Sequence, residues 1–120
     1  MNRRRRRRAE RRGRRAEELA AVWLQLKGYR ILARRARPGP AEIDLIARRG
    51  QMIVFVEVKQ RGDPMQARLA VSPASWRRLS AAAEFWIAPR AALANLDWRY
   101  DLIVISPWRW PQHFRDYWRP

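Results

Sequence analysis

The chain has 120 residues, the size of one domain built on one core. It carries 27 Lys+Arg, nearly all arginine, against 11 Asp+Glu, and the net charge of +16 points to a polyanionic partner and away from an acidic enzyme. Without cysteine there are no disulfides, zinc fingers, thiol nucleophiles or iron–sulfur clusters, and a single histidine, His113, argues against a His-rich metal site or a Ser-His-Asp triad.

Residues 1–15 hold ten arginines and one glutamate, so +9 sits there and +7 remains for the other 105 residues. No apolar run follows Arg3–Arg8, which argues against a signal peptide. Nor does any stretch approach the roughly 18 apolar residues of a membrane span. We read residues 1–13 as a disordered Arg-rich arm, equally well a product of arginine-biased composition. Residues 14–120 read as a single domain of a cytoplasmic protein with no membrane association.

Ala16, Leu19, Val22, Trp23 and Leu26 recur at helical spacing before Gly28, predicting a helix from about Arg14 to Lys27. Tyr29–Ala36 reads as a strand ended by Pro38-Gly39-Pro40. Ala41–Arg48 and Met52–Lys59 read as two more, joined by a turn around Arg49-Gly50. A polar loop with Gly62, Asp63 and Pro64 follows. Ser72-Pro73 has the form of an N-cap with proline at the first helical position. Behind it, Trp76, Leu79, Ala83 and Trp86 line one face of a second helix that ends before Pro89. Trp98–Ser106 reads as a buried strand, and the aromatic, basic tail from Pro107 leaves room for a short edge strand. The order α-β-β-β-α-β predicts an α/β fold, one mixed sheet flanked by helices.

The most informative residues are Glu42 and Asp44, then Glu57 and Lys59, set inside otherwise apolar strands. Side chains alternate faces along a strand, so each pair shares a face. A two- or four-residue turn would pair Glu42 with Glu57 and Asp44 with Phe55, bringing all four polar groups to one face. A one-residue slip would separate them. Carboxylates so grouped repel, and a hard divalent cation such as Mg²⁺ (or Mn²⁺) removes that cost. A neighbouring lysine can orient or deprotonate a water, or neutralise charge developing on a phosphate. The competing reading is a solvated hairpin face on which Lys59 merely pairs Glu57. A further acid can come from the first helix, where Glu17 and Glu18 flank the apolar stripe and geometry does not choose between them.

Arg15-Ala16-Glu17-Glu18-Leu19-Ala20-Ala21, Trp23-Leu24 and Lys27-Gly28-Tyr29, with Glu42–Ala47 and Phe55–Lys59, resemble the YraN family, small bacterial proteins of the restriction-endonuclease-like superfamily. Val71-Ser72-Pro73 with Arg78-Leu79, and Arg99–Ile103, match weaker family stretches, so the resemblance runs from about Gly13 to Trp118. It implies a restriction-endonuclease-like core of the order read above. It further implies Asp44 and Glu57 as metal ligands, Lys59 as catalytic lysine, Glu17 as the helix acid that joins the metal site, and Glu42 in a supporting position. Asp63–Arg68 replaces a glycine-bearing segment, Ser75 replaces a common lysine, and Ala16 stands where glycine is frequent. These departures touch substrate contacts more than metal binding.

Arg34, Arg35 and Arg37 precede the acidic hairpin, Arg48, Arg49 and Arg61 flank it, and Arg77 and Arg78 lie on the second helix. Each alone is an ordinary solvated arginine; together they can hold a phosphate backbone. Trp23, Trp76 and Trp86 read as core. Trp108, Trp110 and Trp118, mixed with arginines, read as stacking or interface residues. His113 reads as a surface or interface residue, and Asp101 has no role legible in the sequence. The expectation is an endonuclease dependent on Mg²⁺ (or Mn²⁺) that hydrolyses phosphodiester bonds, in DNA before RNA, or in structured nucleic acid. The alternative is a non-catalytic nucleic-acid-binding protein on the same fold. A homodimer is allowed, as is a protein partner docked on the aromatic tail.

Overall fold

The computed structural model describes residues 3–39, 41–62, 65–66 and 71–120, and for residues 4–12 the backbone alone. Helix α1 spans Arg3–Leu26, strand β1 Arg30–Ala36, β2 Ile43–Arg49, β3 Met52–Gln60, helix α2 Pro73–Ile87, β4 Asp97–Ile105 and β5 Gln112–Trp118. A single 3₁₀ turn, Ala91–Leu93, precedes β4. The helix therefore starts at Arg3 and not near Arg14. Its backbone takes in most of the segment expected as an arm, in keeping with the good helix propensity of arginine and alanine. Residues 1–2 and the side chains of 4–12 lie outside the described residues, as does most of the polar loop expected around Asp63 and Pro64.

The five strands form one sheet in the order β1-β2-β3-β4-β5. Only β3 and β4 are parallel; the other neighbours are antiparallel. The parallel pair needs a crossover, and α2 supplies it. β3 and β4 are central strands with helices over both faces. That is why Ile53-Val54-Phe55-Val56 and Leu102-Ile103-Val104-Ile105 are continuous apolar runs, not alternating ones.

One core lies under α2, where Trp76, Leu79, Ala82, Ala83, Trp86 and Ile87 meet Phe55, Tyr100, Leu102 and Val104. Ser72 caps this helix, its Oγ accepting from Ser75 N at 3.1 Å, with Pro73 in the first turn. Trp118 stacks on Trp76 at 6.2 Å and 10°. It is a packing residue, not the free stacking surface expected, because β5 folds back along β4 and carries it over the core.

The second core lies under α1 and is built from small residues. Ala16, Ala20, Ala21 and Leu24 pack on Leu45, Val54, Val56 and Ile103. The helix ends in a Schellman motif: Tyr29 N donates to Leu24 O at 2.9 Å and Gly28 N to Gln25 O at 3.0 Å. Gly28 has φ +89°, which an L side chain enters only with strain. Gly28→Ala is expected to lower unfolding free energy by about 1 kcal/mol, measured by urea denaturation. Among the described residues no helix is long and apolar enough to cross a membrane.

Candidate functional site

The β2–β3 hairpin turns at Gly50-Gln51, with Arg49 opposite Met52 and Gly50 at φ +60°. Glycine in the first central place suits a type II′ turn, whose twist matches that of the strands. The turn thus sits one residue later than expected, and the register slides by two. Ile46 faces Phe55 and Leu45 faces Val56, where the paired ladder stops, just short of Asp44 and Glu57. Asp44 does not face Phe55, and Glu57 does not face Glu42. A slide of two preserves which residues share a face. Asp44, Glu57 and Lys59 do come together, lining one cleft.

Beyond Leu45 the ladder gives way to a side chain. Val58 N donates to Asp44 Oδ2 at 2.8 Å. Lys59 Nζ lies 3.1 Å from Glu57 Oε1. Both acids border a cleft of about 490 Å³, lined also by Gly13, Glu17, Lys59, Arg61 and Pro107. Burial, and then the charge of Glu57, push Asp44 up to about 8, against the weaker pull of the Val58 bond and of Lys59. Burial also raises Glu57, with Lys59 opposing it. The one lysine does not offset two half-buried carboxylates.

Glu17, from α1, lines the same cleft. Its carboxylate is held by Arg35, whose Nε and Nη2 donate at 2.6 and 3.2 Å. Arg35 itself has φ +50°, a strained value for a non-glycine residue. It lies in β1 beyond a bulge between Ile31 and Ala33. Among the described residues no three His, Cys, Asp or Glu side chains converge to enclose an ion. Glu18 points to Arg34 instead. Glu42 precedes β2, accepts from Arg37 Nη2 at 3.1 Å, and borders a second hollow with Glu57, Ser75 and Arg78. Of the expected four-group convergence, Asp44, Glu57 and Lys59 share the cleft, while Glu42 borders the adjoining hollow with Glu57 and its charge helps raise that acid.

The arginines divide by position. Arg61 lines the acid cleft, and Arg34 and Arg35 line a groove beside it with Glu17. Arg78 borders the second hollow, donating to Ser75 Oγ, and Arg77 is exposed on the same helix. Arg48 and Arg49 are at the far, hairpin end of β2. There Arg48 donates to Gly50 O and Arg49 covers the Tyr29 ring at 4.5 Å.

The sequence matches the model of the uncharacterised protein family UPF0102 over residues 16–105. The chain belongs to the UPF0102 family. It is 51% identical over 115 residues to a UPF0102 protein of Maricaulis maris, covering 96% of this chain and 91% of that one. With a UPF0102 protein of Mesorhizobium japonicum the identity is 54% over 108 residues, covering 90% and 86%. With one of Rhizobium johnstonii it is 53% over 111 residues, covering 92% and 91%. UPF0102 is the YraN family that the sequence resembles.

This UPF0102 chain also holds a polar network that the sequence reading missed. Asp101 is fully buried in β4. Arg99 Nε and Nη2 donate to its two oxygens at 2.8 Å each, Asp116 N donates at 2.9 Å, and His113 Nε2 lies at 2.7 Å. Arg99 also donates to the Tyr29 hydroxyl, and Lys27 Nζ lies 2.7 Å from His113 Nδ1. Burial alone would raise Asp101, but its bonds to His113, Arg99 and the Asp116 amide hold it below the usual carboxylate range. Burial, with Arg115 and Arg49 nearby, lowers Lys27. The His113 side chain is 2% exposed, so the expected surface placement is corrected. β5 lays it over Ile103, its partner in the ladder. An aspartate inside an apolar strand, two residues from an arginine, was the available signal.

Proposed function

We propose that the cleft is the active site of a metal-dependent nuclease acting on phosphodiester bonds, in DNA before RNA. One observation carries the reading: Asp44 and Glu57, both half-buried, line one cleft with a single lysine, Lys59, beside them. Hard carboxylate oxygens with an uncompensated charge fit Mg²⁺ or Mn²⁺, which often takes one or two protein carboxylates and completes its shell with phosphate and water. Asp44 and Glu57 would hold the ion, and Glu17 would join them on release from Arg35. When bound, the ion supplies Lewis-acid polarisation of the phosphate and eases deprotonation of a water. Lys59, at the cleft wall, would orient that water or offset charge developing on the phosphate. Arg61 in the cleft and Arg34 and Arg35 in the groove beside it would supply cationic contacts for the strand. Superfamily resemblance supports the reaction class by analogy only.

The test is a cleavage panel with Mg²⁺ or Mn²⁺ over duplex, single-stranded, branched and RNA substrates. Wild type is expected to cut at least one, and Asp44→Ala to lose activity by two orders of magnitude or more. Equal cleavage by the variant would sink the site. The ion pair that occupies Glu17 favours a second reading, a nucleic-acid binder without turnover. It predicts metal-independent, salt-sensitive binding and no cleavage of any substrate.

A further inference from the structure

β3 and β4 are parallel, so both end at the same edge of the sheet, with Gln60 beside Ile105. Arg61 N donates to Ile105 O at 3.1 Å there. The chain leaving β4 thus emerges at the rim of the acid cleft, and Pro107 lines it. The carboxyl ends of parallel strands are where open α/β sheets commonly receive ligands.

The residue after Pro107 is Trp108, which is 102% exposed, and Trp110 is 80% exposed with Arg109 between them. Trp108 has φ +60°. A bulky side chain in the left-handed region is strained, and glycine or asparagine would serve the turn better. Trp108 therefore gains the fold neither burial nor a relaxed backbone. Trp110 leans on Trp23 at 5.9 Å, which orients its ring and leaves most of it open.

We propose that the β4–β5 turn is a base-stacking element, with Trp108 and Trp110 taking unpaired bases of a single-stranded nucleic acid whose backbone runs into the acid cleft. The inference rests on the reading of that cleft as a phosphodiester site. Indole rings offer every base a stacking face, whereas duplex bases are already stacked and inaccessible to them. Charge selects this occupant over a second copy of the chain, because two copies would bring +16 against +16. Arg109 adds a cation between the rings, suited to the phosphate linking two stacked bases.

The test is fluorescence anisotropy in EDTA, with a labelled mixed-sequence oligonucleotide either single-stranded or annealed to its complement. The full chain is expected to bind the single strand more tightly than the duplex. Trp108→Ala should weaken single-strand binding about tenfold, leave duplex binding unchanged, and leave the melting temperature unchanged. Trp108→Phe, which keeps a ring, should restore most of the affinity, and Trp110→Ala should act in the same direction as Trp108→Ala. Single-strand binding by Trp108→Ala within twofold of wild type would overturn the proposal. So would an equal loss on duplex, or a wild-type dimer that sedimentation shows Trp108→Ala to dissociate. Since the assay needs no metal or turnover, absent cleavage with intact Trp108 dependence sinks only the nuclease reading. Cleavage without Trp108 dependence sinks only the stacking element.

Discussion

Asp44→Asn is expected to make the metal-free protein more stable at pH 8 and to abolish its stabilisation by Mn²⁺. The folded protein holds the Asp44 proton up to about pH 8, against an ordinary value of 3.8. Between those values the folded state binds more protons than the unfolded state, so this group makes stability fall as pH rises. Its contribution is fully present below about pH 4 and lost by pH 8 and above, a penalty on the order of a few kcal/mol. An ion bound to the two carboxylates would relieve that penalty, and would do so more at pH 8 than at pH 5, where it competes with the proton. Asparagine removes one charge of the opposed pair and keeps an oxygen for Val58 N. Urea denaturation at both pH values, with and without Mn²⁺, reads all four quantities. A variant that retains the wild-type slope and metal response would place the coupled charge elsewhere.

Asp101→Ala is expected to cost about 3–5 kcal/mol, the range for breaking a buried pair and leaving the other charge behind. Arg99, His113 and the Asp116 amide all lose their acceptor at once. The acid branch has the opposite sign to that of Asp44. Because Asp101 is depressed on folding, its contribution is present above the ordinary carboxylate value and is lost as pH falls through the lower, folded one. Wild type should therefore lose stability steeply below about pH 4, and the variant less so. Arg99→Met/Asp101→Leu, which removes both charges, should recover part of the loss. Chemical denaturation of the single and double variants measures it; a single variant within 1 kcal/mol of wild type would mean the network is solvated in solution.

How much of this was legible depended on how far apart in the chain the cooperating groups lie. Trp76, Leu79, Ala83 and Trp86 announce their helix because burial on one face repeats every three to four residues. Asp44 and Glu57 stand out because carboxylates are costly in an apolar strand. Their pairing was misplaced by two because Arg49, Gly50 and Gln51 are all compatible with a turn. Glycine's place in a type II′ turn was the clue that decides it. The engagement of Glu17 by Arg35 needs β1 laid beside α1, with a bulge before it. The contact of Lys27 with His113 spans 86 positions, and no local pattern encodes that. The strained, exposed Trp108 is visible only once the backbone angle is known.

The alanines beneath α1 carry a consequence for the chemistry. Ala16, Ala20 and Ala21 are at most 3% exposed and set the helix almost directly on the strands. The reach from Glu17 to the acids of the sheet is governed by these methyl groups, residues that carry no charge and bind nothing. Under the proposed function, helix-to-sheet spacing would set metal affinity, adjustable by single carbons without changing any of the proposed ligands.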